Sequence, residues 1–286
     1  MRDRAIVVGT DGAAAADWAP VDWAAREAQR RDKPLYIVYA FEWDQDESRN
    51  AAGSAYVEAV WSAAEIVTAG ALRRAHELAP AARITSDALV GNPTARLLEI
   101  AGDAELIVVG HRGGGGFPGL PLGSVSRRVA TQAPCPVVVV RGRAAAGGPV
   151  VAGVDDSPAA PQVLRTAFEA AGDRGCPLVV VRSFLPAIPH WTAAGRAGRR
   201  RTPEPDAAER ARLEEQLAPW REKYPDVPVE TVISHDSAPA ALVGASARAQ
   251  LIVAGSHGRG RVRTTLLGST VPQLLHYADC PVLVAR

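Results

Sequence analysis

Lysine is nearly missing: Lys33 and Lys223 are the only two in 286 residues, and arginine supplies the rest of the positive charge. Neither lysine follows a glycine-rich turn. That excludes the phosphate loop of the GxxxxGK[ST] type, whose lysine reaches the β- and γ-phosphates. Cysteine is scarce as well. Cys135, Cys176 and Cys280 have no CxxC spacing and cannot all pair with one another, so no closed disulfide framework holds the chain. No leader-like segment is evident in "MRDRAIVVGTDG", and a reducing cytoplasm is the expected compartment. No apolar run approaches the ~20 residues of a membrane span. Excess charge is lacking too. A formal net charge of +1 gives no bulk attraction to nucleic acid or anionic lipid, and the run Arg199–Arg201 is too short to change that.

What is present is a sequence written twice. "ELIVVGHRGGGG" (105–116) returns as "QLIVAGSHGRGR" (250–261), and "CPVVVVR" (135–141) as "CPVLVAR" (280–286), both 145 residues on. "IVVGTDG" (6–12) returns as "VVAGVDDS" (150–157) at an offset of 144, and "LYIVYAF" (35–41) as "LVVVRSF" (178–184) at 143. Drifting offsets mean small loop insertions on a common fold, and two units of this size are two domains rather than a solenoid. The expected division is 1–143 and 149–286, joined by the small-residue stretch "GRAAAGGP" at 142–149.

Within the first repeat, apolar runs at Ala5–Gly9, Leu35–Phe41, Ile84–Val90, Leu106–Gly110 and Pro136–Arg141 lack polar alternation, as parallel strands covered on both faces do. Helical spacing fills the gaps: Trp18–Arg31, Tyr56–Leu78, a segment opened by Asn92-Pro93-Thr94, and Ser124–Gln132. The second repeat keeps this order. Alternating β and α elements predict an open α/β fold with a doubly wound, five-stranded parallel sheet in each half. Ligands of such sheets sit beyond the carboxyl ends of the strands, at the topological switch point.

A loop falls there in both halves. Gly110, Gly113, Gly123 and Ser124 have the spacing G-x2-G-x9-G-S, and Gly255, Gly258, Gly268 and Ser269 have the same spacing. Glycine lets an anion approach backbone N–H groups, and a helix opened by Gly-Ser presents N–H groups with no internal partner and a favourable dipole. Each charge-assisted hydrogen bond there contributes ~1.5–3 kcal/mol, enough in number to hold a polyphosphate without a lysine. The dinucleotide fingerprint and the G-x-S-x-G elbow are both absent.

These residues resemble the universal stress proteins in their tandem-domain form, over nearly the whole chain. The likeness rests on the doubled glycine pattern, on Asp11 and Asp155 after the first strands, and on the matching second and closing strands. It implies Rossmann-like domains of the adenine nucleotide alpha-hydrolase-like type, packed about a pseudo-twofold axis with the closing strands at the contact. It also implies two ATP sites. Asp11 and Asp155 would lie beside the nucleoside, and Val38 and Val181 would offer backbone groups to adenine. Gly110, Gly113, Gly123, Ser124 and Ser126 would surround the first set of phosphates. Gly255, Gly258, Gly268, Ser269 and Thr270 would surround the second. Mg²⁺ held through the phosphates by Asp11 or Asp155 stays open, as does further assembly into a homodimer. The function implied is a nucleotide-dependent regulator of the stress response. Slow metal-assisted hydrolysis, or an interaction module with a structural nucleotide, are the alternatives. No catalytic residue is assigned.

One departure stands out. The first repeat reads Asp11-Gly12 but the second reads Asp155-Asp156, and a further carboxylate opposes a polyanion unless it turns away or holds a metal. The second loop is the more cationic, with Arg259, Arg261 and Arg263 against Arg112 of the first. His111 and His257 fall in different registers, which argues for local roles rather than a shared acid–base group. Cys135 and Cys280 read as small buried thiols. The segments 42–54 (acidic) and 189–205 (basic) read as solvated loops, or as covers near the nucleotide edge.

Overall fold

The computed structural model describes residues 4–12, 18–42, 53–111, 122–184, 203–256 and 268–286. The first repeat runs β1 (Ile6–Thr10), α1 (Ala19–Arg31), β2 (Leu35–Phe41), α2 (Gly53–Leu78), β3 (Ile84–Val90), α3 (Pro93–Ala101), β4 (Leu106–Gly110), α4 (Ser124–Gln132) and β5 (Val137–Val140). The second runs β6 (Val150–Gly153), α5 (Ala160–Arg174), β7 (Leu178–Ser183), α6 (Pro203–Lys223), β8 (Val229–Ser234), α7 (Ala238–Ser246), β9 (Leu251–Gly255), α8 (Thr270–Tyr277) and β10 (Val282–Ala285).

The chain forms two compact units: residues 1–142 with 275–277 and 281–286, and residues 143–274 with 278–280. The first unit carries strands in the order β3-β2-β1-β4-β5-β10, the second in the order β9-β6-β7-β8. β1 pairs in parallel with β2 and β4, and β4 with β5. β6 likewise pairs in parallel with β7 and β9. The expectation of parallel strands in each half needs one addition: β10 lies antiparallel to β5, Leu283 opposite Val138, and belongs to the first unit. "VVVV" and "VLVA" have no polar face to specify direction, and pairing removes the exposed row of N–H and C=O groups that an edge strand would leave.

Helices form where apolar residues recur at helical spacing. In α1, Val21, Ala24, Ala25 and Ala28 are buried along one stripe. The helix ends at Asp32 in the left-handed conformation, φ 50°, whose N–H reaches back to Ala28 and Gln29. Its counterpart α5 ends at Gly175, φ 58°, in the same way. A two-pronged ion pair, Arg74 Nε and Nη2 to Asp22 at 2.7 Å each, ties α2 to α1. One contact is repeated between the units. A Cβ on Gly9 would stand 3.0 Å from Leu97 Cδ1, and a Cβ on Gly153 2.5 Å from Leu242 Cδ1. Small strand residues thus let α3 and α7 seat a buried leucine against β1 and β6. Among the described residues, no helix is long and apolar enough to cross a membrane.

Candidate functional site

In the first unit the strand order reverses direction between β1 and β4, so the carboxyl ends of those two strands flank the switch point. Asp11 and Gly12 leave β1 there, and Gly110 closes β4 beside them. The second unit repeats the arrangement, with Asp155 after β6 and Gly255 closing β9.

The two loops begin and end alike. Gly123 N–H donates to the His111 carbonyl at 2.7 Å, and Gly268 N–H donates to the Ser256 carbonyl at 2.8 Å. Each bond pins the end of the loop to the residue just past the strand. Gly113 and Gly258, with Arg112, His257, Arg259, Arg261 and Arg263, lie outside the described residues, as do most of segments 42–54 and 189–205.

Beyond the loops, α4 and α8 start differently from their neighbours. Asn92 Oδ1 accepts the Thr94 and Ala95 N–H groups at the head of α3, and Ser237 Oγ accepts Ala240 N–H at the head of α7. All four of α1, α3, α5 and α7 also carry proline at the first or second position. α4 and α8 have neither a side-chain cap nor such a proline. Among the described residues no side chain takes up their first-turn N–H groups, of which α8 lacks the one at Pro272, and such groups can meet solvent or an anion. Ser124 and Ser269 are exposed at these ends, next to Thr270 in α8. Ser126 instead turns inward and its hydroxyl donates to the Gly110 carbonyl, fastening α4 to β4.

Val38 and Val181 sit within their strands rather than at the mouths. Val38 pairs with Gly9 on one side and Asp87 on the other, and Val181 carbonyl accepts Val154 N–H at 3.0 Å. Their backbone groups are part of the ladders. Continuing the register places Asp11 level with Ala40 and Asp155 level with Ser183.

The two strand ends differ in electrostatics. Gly12 adopts φ +67° beneath Val67 in the first unit. In the second, Asp155 Oδ1 accepts Ser157 N–H at 2.9 Å, and Asp156 accepts from Arg182 Nη2 at 2.6 Å. Arg182 is 1% exposed and also donates through Nε to Glu209 at 2.6 Å. The charge of Asp156 is met by an arginine from the neighbouring strand. Sequence reasoning overlooked Arg182 and Glu209. The usable signal was a charged residue inside "LVVVRSF", a strand otherwise too apolar to face water. Among the described residues, no group of three or more His, Cys, Asp or Glu is arranged to hold a metal ion.

Two α/β units of this order, each with a loop and an uncapped helix at its switch point, define a tandem Rossmann-like protein. The chain belongs to the universal stress protein family, whose model matches residues 3–141 and 148–286. A universal stress protein of Mycobacterium tuberculosis is 35% identical over 317 residues, covering 100% of this chain and 98% of its own. One from Mycolicibacterium smegmatis is 32% identical over 308 residues, covering 98% and 96%. Among solved structures, a universal stress protein from Archaeoglobus fulgidus aligns with a TM-score of 0.72 at 17% identity, over 100% of this chain and 99% of that one. This last likeness speaks to the fold.

Proposed function

We propose that each repeat holds one adenine nucleotide, ATP, at its switch point, and that occupancy adjusts conformation or partner binding in a cytoplasmic stress response. The observation that carries this reading is the repeated closure of the two loops. Gly123 to His111 and Gly268 to Ser256 form the same bond at 2.7 and 2.8 Å, each ahead of a helix without a side-chain cap. A purely structural turn gives no reason for both copies to leave their helix ends uncapped when the adjacent helices α3 and α7 are capped.

In this reading the first-turn N–H groups of α4 and α8 and the glycines of the loops bind phosphate oxygens. Asp11 and Asp155 take the nucleoside side of the crevice, and either could share Mg²⁺ with the phosphates. The sequence-level assignment of adenine to the backbone of Val38 and Val181 is not carried forward, because the ladders use those groups. The domain boundaries near 142–149 belong to the same proposal.

The test is direct. The purified chain is denatured, released nucleotide is identified by chromatography, and the emptied protein is titrated with ATP by calorimetry. Binding at two sites is expected, with Gly123→Val and Gly268→Val each removing one. Absence of adenine nucleotide together with no ATP heat refutes the reading. Phosphate release that depends on Mg²⁺ and disappears in the double variant Asp11→Ala/Asp155→Ala would turn it into an enzyme.

A further inference from the structure

The two repeats differ at one matched set of positions around the strand end. Gly12, Tyr39, Ala64 and Ala71 in the first are answered by Asp156, Arg182, Glu209 and Gln216 in the second, at the offsets of 143 to 145 that relate the flanking elements. In the first unit three of these positions are small and uncharged, with Ala64 and Ala71 fully buried and Gly12 passing beneath Val67, while Tyr39 stacks on Phe41 at 5.7 Å. The second unit replaces that packing with a polar clamp. Arg182 bridges Asp156 on one side and Glu209 on the other, both at 2.6 Å. Gln216 Nε2 donates to the same Asp156 oxygen at 3.2 Å, and Arg212 pairs with Glu209 at 2.8 Å.

Two carboxylates and two guanidinium groups balance to zero. Arg182 Nη1 is buried with no hydrogen-bond partner among the described residues. Among the described residues the guanidinium is therefore oriented by its two carboxylates. Asp156 is 42% exposed and adjoins Asp155, so its charge acts at the mouth of the crevice. Unbalanced, that carboxylate repels a polyphosphate, and at the high effective dielectric of a surface crevice the repulsion weakens binding roughly tenfold.

We propose that Arg182 is the charge-balancing and positioning residue of the second site. It neutralises Asp156 and fixes the turn that follows Asp155, so that this site accepts a nucleoside polyphosphate despite its extra carboxylate. This rests on the nucleotide reading above.

The experiment uses the full chain carrying Gly123→Val, which silences the first site, titrated by calorimetry with ATP and separately with adenosine. Arg182→Met is expected to weaken ATP about tenfold and leave adenosine within about twofold, since only the polyphosphate meets the exposed charge. Asp156→Asn, at a half-exposed position that folding tolerates, is expected to tighten ATP by about threefold with adenosine unchanged. The pair Asp156→Asn/Arg182→Met restores the background ATP affinity, and the Arg182→Met penalty shrinks as salt is raised. Equal losses for ATP and adenosine, no gain from Asp156→Asn, or a double variant no better than Arg182→Met each overturn the proposal. If Arg182→Met does not fold, the Asp156→Asn comparison decides alone. Binding by the unaltered chain but none by the Gly123→Val chain also overturns it, whereas no binding of either ligand by the unaltered chain defeats the nucleotide reading itself.

Discussion

Gly12→Ala is expected to destabilise the first unit by about 2–5 kcal/mol, a sum of two separable effects. The backbone is the first. Gly12 has φ +67°, and an L-residue held there costs roughly 1–2 kcal/mol. Packing is the second. The new Cβ would stand 2.6 Å from Val67 Cγ2 and 2.9 Å from Cγ1, where real Cβ atoms are essentially never found. Valine is branched at Cβ and stiff at χ1, so it cannot rotate out of the way, and overpacking of this kind costs ~1–3 kcal/mol. Gly175→Ala is the control. Its φ is +58° and nothing lies within 4 Å of the built Cβ, so it bears the backbone effect alone. Urea unfolding of both variants, followed by circular dichroism and tryptophan fluorescence, gives the difference. A Gly12→Ala midpoint shifted no further than that of Gly175→Ala would refute the packing argument. It would mean that Gly12 shifts away from Val67 at little cost.

Four other outcomes are expected. Asp32→Gly should stabilise by about 1 kcal/mol in thermal unfolding, because Asp32 holds φ 50° where the matching helix end uses Gly175. Leu97→Ala and Leu242→Ala should each lose ~2–5 kcal/mol in denaturant titrations, since both are buried, at 3% and 2% exposure, against a strand glycine. Burial and then the hydrogen bond to Asp87 raise the Tyr36 hydroxyl to about 12 from 10.0. Its contribution is therefore whole below pH 10 and is lost as pH rises through about 12; Tyr36→Phe should flatten that alkaline decline in stability. Cys135, Cys176 and Cys280 are all buried, and burial raises the Cys135 thiol, so a thiol reagent should count none in the native chain and three after denaturation.

Local chemistry made much of this fold readable. β2 and β3 occupy the runs "LYIVYAF" and "ITSDALV" residue for residue, but β3, expected to be apolar and covered on both faces, carries Thr85, Ser86 and Asp87 and is partly exposed as an edge strand. Asn92-Pro93 opens α3 as the cap rule requires. The repeated spacing of Gly110, Gly123 and Ser124 against Gly255, Gly268 and Ser269 matches the ends of β4 and β9 and the starts of α4 and α8. Relations between distant residues were not readable. The Arg182–Glu209 pair joins a strand to a helix 27 positions on, and periodicity says nothing about which charge crosses to which. The resemblance puts the two closing strands together, but the direction in which β10 pairs was not readable, since an all-apolar strand fits either.

The antiparallel seating of β10 on β5 has a consequence for the order of synthesis. The first repeat leaves the ribosome with β5 complete, yet residues 281–286 of its unit are made only after the whole second repeat. Until then β5 presents an open, wholly apolar edge, the kind of edge that recruits foreign strands. Residues translated after the whole second repeat close the first unit to be built. A ribosome that stops before β10 would thus leave its damage in the half of the molecule it finished first.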